Sequence, residues 1–158
     1  QDMPDAPYVF LTDQATASAL AAPVLNTLAA PTTGGTFTAG TYYWVITAKN
    51  AKGETIASNE KTATLTTNQE QALSWGAVSG ATSYNVYRGT VAGEENVLVG
   101  NTASTSFTDT GAAGTAQTPP GSNTAAVGKI YYIWQAAEPI SALAGKPIVA
   151  PANAVVIE

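Results

Sequence analysis

Few side chains in this chain could do chemistry. Histidine and cysteine are both absent, which removes the commonest general base, the commonest metal ligand and every thiolate. A serine nucleophile would have only lysine for a base, and a Ser-x-x-Lys motif is not expected in this chain. That leaves carboxylates. Glu54 and Glu60 are the pair from which a glycoside hydrolase would have to be built. Both fall at turn and strand positions that face water, with no apolar stretch beside them to raise a pKa. Glu94-Glu95 is the one adjacent acidic pair, and a solvated turn accounts for it. Asp109 with a neighbouring carbonyl has the makings of a weak calcium ligand, though a solvated turn explains it more simply. Thr33-Gly34-Gly35 lacks the lysine and the strand–loop–helix setting of a phosphate loop. The expectation is no enzyme, no cofactor and no metal.

Charge narrows the partners. The chain has 158 residues, a formal net charge of −5, six basic residues and 11% charged residues in all. Six scattered cations make no positive face for phosphates, so nucleic acid is not an expected partner. No apolar run of about 18 residues occurs, so no membrane span is expected. Thr, Ala, Ser, Asn and Gly supply a neutral polar surface, a composition common in secreted and virion proteins. The chain starts at Gln1, from which a processed product or a fragment is expected.

The elements that must position these groups read as strands. Leu73–Gly89 carries two alternating pairs, Leu73 with Trp75 and Tyr84 with Val86, around a Ser79-Gly80 turn. Residues two apart share a strand face, so these four point to one core. Tyr42–Asn50 is the longest strand signal, with Tyr42, Trp44, Ile46 and Ala48 on one face and Tyr43, Val45, Thr47 and Lys49 on the other. Ala51–Glu54 turns the chain, and a return strand is expected over Thr55–Thr66, where Thr62, Thr64 and Thr66 make a water-facing row. Val97–Val99 and Thr105–Thr108 are further short strands, the second anchored by Phe107. Strands about ten residues apart with turns between them argue for an antiparallel sandwich. The expected core is Tyr42, Trp44, Ile46, Leu73, Trp75, Tyr84, Val86 and Phe107.

The flanks differ. Thr12 or Asp13 could cap a short alanine-rich helix over Gln14–Ala22, stopped by Pro23. Residues 112–128 have linker composition, with Pro119-Pro120-Gly121. Ile130–Trp134 is apolar at successive positions, unlike a half-exposed strand. Pro139 could open a helical turn to Ala144, and Lys146–Val149 and Ala154–Ile157 read as closing strands. The division expected is an N-terminal arm (1–27), a sandwich (28–111), a linker (112–128) and a C-terminal docking segment (129–158). Among the aromatics, Tyr43, Tyr87, Tyr131 and Trp134 are not placed by alternation. Packing against the arms, a protein interface and stacking on sugars are the readings open to them.

Residues 28 to 111 resemble a fibronectin type III domain. The likeness rests on L-S-W at Leu73–Trp75, S-Y-N-V-Y-R-G at Ser83–Gly89, T-S-F-T-D-T at Thr105–Thr110 and G-T-Y-Y-W-V-I-T-A-K-N-A-K-G-E at Gly40–Glu54. In that family a Trp of the second strand packs on a Tyr of the third, which Trp75 and Tyr84 match. Tyr42, Trp44, Ile46, Ala48 and Asn50 match the spacing of its sixth strand. The order is shifted cyclically, since the segments resembling strands F and G precede those resembling B, C, C′ and E. The resemblance implies an all-β, fibronectin III-like antiparallel sandwich, with the apolar arms forming a small base.

Modules of this kind occur in bacteriophage tail and capsid-surface proteins and in secreted bacterial proteins. The function expected is a non-enzymatic structural or decoration protein of a virion. It would dock through Tyr8, Phe10, Ile130, Tyr132, Trp134, Val155 and Ile157 to other virion proteins and to copies of itself. The alternative is an accessory module of a bacterial extracellular enzyme or adhesin, with weak contact to cell-surface glycans at most.

Overall fold

Alternating β-branched and aromatic residues with few helix-forming runs commit this chain to strands. The computed structural model describes residues 8–16, 19–125, 129–136 and 155–157, and every regular element among them is a strand. The chain divides into two compact units, Ala19–Ala126 on one hand and Gln1–Ser18 with Val127–Glu158 on the other.

The larger unit holds two antiparallel sheets, the arrangement of a β-sandwich. One has the order β2 (Thr32–Thr33), β5 (Gln69–Ser74), β8 (Ser106–Asp109). The other has the order β4 (Lys61–Leu65), β3 (Gly40–Lys49), β6 (Ser83–Gly89), β7 (Val97–Thr102), β9 (Thr115–Ala116). Between them lies a core containing Trp44, Ile46, Ala48, Leu65, Leu73, Trp75, Tyr84 and Val86, all buried, with Tyr42 and Phe107 half-buried against it. The Trp75 and Tyr84 rings meet edge to face with centroids 5.4 Å apart. The Tyr84 hydroxyl accepts the Val78 N–H at 2.8 Å, which satisfies its polar end. Leu20, Leu25, Phe37 and Ala125 join the core from irregular segments.

Two expectations fail on this unit. No strand runs through residues 55–60, and regular pairing begins only at Lys61. Hydroxyl groups displace the ladder here: the Ile46 N–H donates to Ser58 Oγ and the Ala48 N–H to Thr55 Oγ1, both at 3.0 Å. Residues 112–125 do not run free as a linker. β9 pairs with β7, the Thr124 N–H donates to the Glu54 carbonyl at 2.8 Å, and Ala125 is buried. The compact unit is therefore wider than 28–111, taking in both neighbouring segments. On β3 the face away from the core is covered as well, with Val45 and Thr47 both buried.

In the smaller unit, β1 (Tyr8–Thr16), β10 (Lys129–Ala136) and β11 (Val155–Ile157) form a three-stranded antiparallel sheet with β10 in the middle. Phe10 lies in register with Trp134, Leu11 with Ile133, and Tyr132 with Val156. Gln14–Thr16 thus belongs to a strand rather than to the start of a helix, and residues 19–22 are not helical either. A short alanine-rich helix is marginal in water, and the ladder to β10 satisfies the same backbone groups in a longer-range pairing. The readings at Pro139–Ala144 and Lys146–Val149 lie outside the described residues.

Candidate functional site

The carboxylates are engaged in ways that their sequence setting does not reveal. Asp109, at the end of β8, is 2% exposed. Arg88 on β6 reaches it across the sandwich, with Nη1 2.8 and 2.9 Å from the two carboxylate oxygens. The Trp44 indole N–H donates to Asp109 Oδ2 at 2.9 Å and the Gly111 N–H to Oδ1 at 3.0 Å. The Arg88 guanidinium also lies 5.0 Å from the centre of the Phe37 ring. A carboxylate neutralised by a buried guanidinium is a poor cation ligand, so the calcium reading is withdrawn. Among the described residues no group of three or more Asp or Glu is placed to hold a metal ion.

Glu54 organises the outer face of the five-stranded sheet. Its Oε1 accepts the Thr47 hydroxyl at 2.5 Å, the Tyr87 hydroxyl at 2.7 Å and the Asn85 amide at 3.0 Å. Asn85 Oδ1 accepts from Asn101 at 2.8 Å, and the Tyr87 hydroxyl accepts from Gln117 at 3.1 Å. Alternation puts Thr47, Asn85 and Tyr87 on one side of neighbouring strands, where Thr47 and Asn85 stand directly opposite one another. Tyr87 is fully buried. Desolvation, then the hydrogen bond the phenol donates to Glu54, push it up to about 12; Asn85 opposes this, the Glu54 charge adds to it and Gln117 opposes it least. It therefore stays a neutral donor. An oxygen already accepting three donors is not a free general base, so Glu54 serves as a half-buried anchor. With its ring inside, Tyr87 offers no face to a sugar.

Glu60 and Glu95 meet at the other end of the same face. Glu60 Oε2 accepts the Gly93 N–H at 2.7 Å. Glu95 is 8% exposed, and its Oε1 has no hydrogen-bond partner. Burial, then a hydrogen bond with Glu60, push the Glu95 carboxyl up to about 7. Glu54 and Glu60 thus hold different partners, Thr47, Asn85 and Tyr87 for the first and the Gly93 N–H for the second. The adjacent pair Glu94-Glu95 also divides, with Glu94 exposed and Glu95 buried.

A Ser-x-x-Lys spacing does occur, at Ser58 and Lys61. Only a helical turn would bring those side chains together, and this stretch is irregular chain leading into β4. The Ser58 hydroxyl instead donates to the Asn59 carbonyl at 2.8 Å.

The residues expected to dock all lie on one small sheet: Tyr8 and Phe10 on β1, Ile130, Tyr132 and Trp134 on β10, Val155 and Ile157 on β11. Tyr131 is on β10 with them, while Tyr43 is half-buried on β3. Thr47, Asn85 and Glu95 were missed by alternation, and for Glu95 no sequence signal separates a buried carboxyl from a solvated one. The chain matches no protein-family model, no curated protein and no solved structure.

Proposed function

We propose that this chain is a non-enzymatic structural protein of a bacteriophage particle, of the tail or capsid surface, which docks through its terminal strands and displays a fibronectin III-like domain. One observation carries the reading: the sandwich is inserted between two strands, β1 and β10, that pair with each other over most of their length. The inserted unit ties its own two ends together, since the Asn123 amide donates to the Leu20 carbonyl at 2.8 Å. A domain whose ends are tied and whose flanks pair is suited to be carried by those flanks.

The strand neighbours favour the fibronectin III-like identity. In such sandwiches one sheet gathers C, F and G, and the other gathers A, B and E. With β3 and β4 read as F and G, and β5, β6, β7 and β8 as B, C, C′ and E, the order β4-β3-β6-β7 becomes G-F-C-C′ and β5-β8 becomes B-E. β2 then takes the place of A beside B. The engagement of Asp109 by Arg88 and Trp44, and of Glu54 by three donors, favours a non-enzymatic role. The flanking strands are apolar at successive positions, and a three-stranded sheet of that kind gains by acquiring a packing partner.

The test compares the full chain with residues 19–126 by light scattering and by co-sedimentation with particles. The shorter fragment is expected to be a folded monomer that does not sediment, and the full chain to oligomerise or to sediment. A full chain that stays monomeric at high concentration, with particles incorporating the fragment equally well, refutes the docking role. Micromolar binding of cell-wall glycans by the fragment would put the accessory-module reading in its place.

A further inference from the structure

The loop joining β6 to β7 is held down from two sides by acids. Its backbone lies directly on Gly89, where an added Cβ would come within 2.4 Å of the Glu94 carbonyl oxygen and 3.0 Å of Glu95 Cα. Gly93 turns the loop at a φ of 73°, and the Glu94 N–H closes that turn onto the Val91 carbonyl at 3.1 Å. Glu60, from the segment before β4, grips the same loop through the Gly93 N–H. Glu95 then enters the protein with a buried oxygen that nothing donates to.

A buried carboxylate oxygen without a donor is costly, whereas a carboxylic acid next to a carboxylate is not, because its proton makes the missing bond. We propose that the closed loop holds Glu95 as a carboxylic acid hydrogen-bonded to Glu60, and that loss of this one proton releases residues 90–96 from the outer face of the five-stranded sheet. The loop is then a proton-dependent clasp.

Among the described residues, Glu60 is the one charged group that acts on Glu95. On β6, Arg88 is committed to Asp109 on the core side, and Tyr87 two residues before Gly89 is held neutral by Glu54. On β3, Tyr43 stands opposite Gly89, and on β4, Lys61 is in register with Trp44. Glu94 on the loop itself is exposed. Of these groups Glu60 alone shifts Glu95. Burial acts first and Glu60 second, against the backbone N–H groups of Glu95 and Gly93, and together they place the carboxyl at about 7. The released carboxyl ionises at the ordinary 4.5 and the closed one only near 7, so the clasp loosens as pH rises between those values. The ionised pair repels, and the Gly93 N–H loses its protection as the loop lifts.

The experiment uses the full chain. Carbon-13 NMR follows the Glu95 side-chain carboxyl through pH, and hydrogen exchange follows the Gly93 amide after correction for intrinsic rates. Glu95 is expected to titrate near 7, and Gly93 protection to fall by about tenfold per pH unit as pH rises from the ordinary 4.5 of the released carboxyl toward that midpoint, then to level off, the behaviour of opening linked to one proton. Glu95→Gln, which keeps a donor without the titration, should make the protection independent of pH. Titration of wild-type Glu95 in the ordinary carboxylate range, or wild-type Gly93 protection that does not change with pH, overturns the proposal; both readings stand even if the variant fails to fold.

Discussion

Asp109→Ala is the sharpest probe of what joins the two sheets. Asp109 lies on β8 of the three-stranded sheet, and Arg88 and Trp44 lie on β6 and β3 of the five-stranded one. Removing the carboxylate leaves a guanidinium whose side chain is 13% exposed without its counter-charge. Breaking a buried pair from one side costs about 3–5 kcal/mol. The Trp44 indole N–H loses its acceptor as well, and an orphaned buried donor costs about 1–3 kcal/mol. The two penalties overlap, so a loss of about 4–6 kcal/mol is expected, a large share of the 5–15 kcal/mol that holds most domains together. Urea unfolding followed by tryptophan fluorescence measures it. The cost arises from a stranded charge, so Arg88→Met combined with Asp109→Leu should recover most of the loss, since a well-packed apolar pair often replaces a buried ion pair without penalty. A single variant that loses less than about 1 kcal/mol, or a double variant no more stable than the single one, would refute this reasoning.

Other substitutions and titrations test the remaining parts. Trp75→Ala removes the ring packed on Tyr84 and should cost about 3–5 kcal/mol, read from the same unfolding curves; an unchanged midpoint would mean that the core lies elsewhere. Absorbance at alkaline pH should show one tyrosine ionising only near 12, as Tyr87 does in its buried setting, and Tyr87→Phe should remove that transition. Because the folded value lies above the unfolded one, the stabilisation from neutral Tyr87 is complete below about 10 and is lost as pH rises through 12. Glu95 follows the same sign at lower pH. Its folded value near 7 exceeds the ordinary 4.5, so stability should decline as pH rises from 4.5 to 7, by about 1–3 kcal/mol. Glu95→Gln should flatten that slope in denaturation curves taken across the range.

The core was legible where one face of a strand decides burial. Trp44 with Ile46, Leu73 with Trp75, and Tyr84 with Val86 each announce themselves by alternation, because a core on one side selects apolar side chains at every second position. The outer face of the same strands was not legible. Tyr87 is covered by groups more than two dozen residues away, Glu54 at a separation of 33 and Gln117 at 30, and nothing local marks such a cover. Leu20, Leu25 and Phe37 are core residues in irregular chain, where no period exists to reveal them. Thr55 and Ser58 have strand-like neighbours, yet their hydroxyls take over acceptor positions of the ladder. The fate of a carboxylate depends on its partner: Asp109 and Glu95 occupy similar turn-like settings in sequence, and one found a cation while the other found a second acid.

The pairing of Thr16 with Lys129 also sets an order of events during folding. In the unfolded chain those residues close a loop of over a hundred positions, an entropic debt that sandwich formation reduces. Once the Leu20 N–H lies 3.5 Å from the Ala125 carbonyl oxygen, only short tethers remain, which lowers the closure cost by about 2 kcal/mol. On this reckoning the inserted domain is expected to fold before the sheet that flanks it. As the chain is synthesised, β1 must wait unpaired until the whole insert and β10 have followed, and its apolar run is then at its most vulnerable to aggregation. Unfolding of the sandwich would restore that closure cost, so the pairing of β1 with β10 is expected to weaken with it.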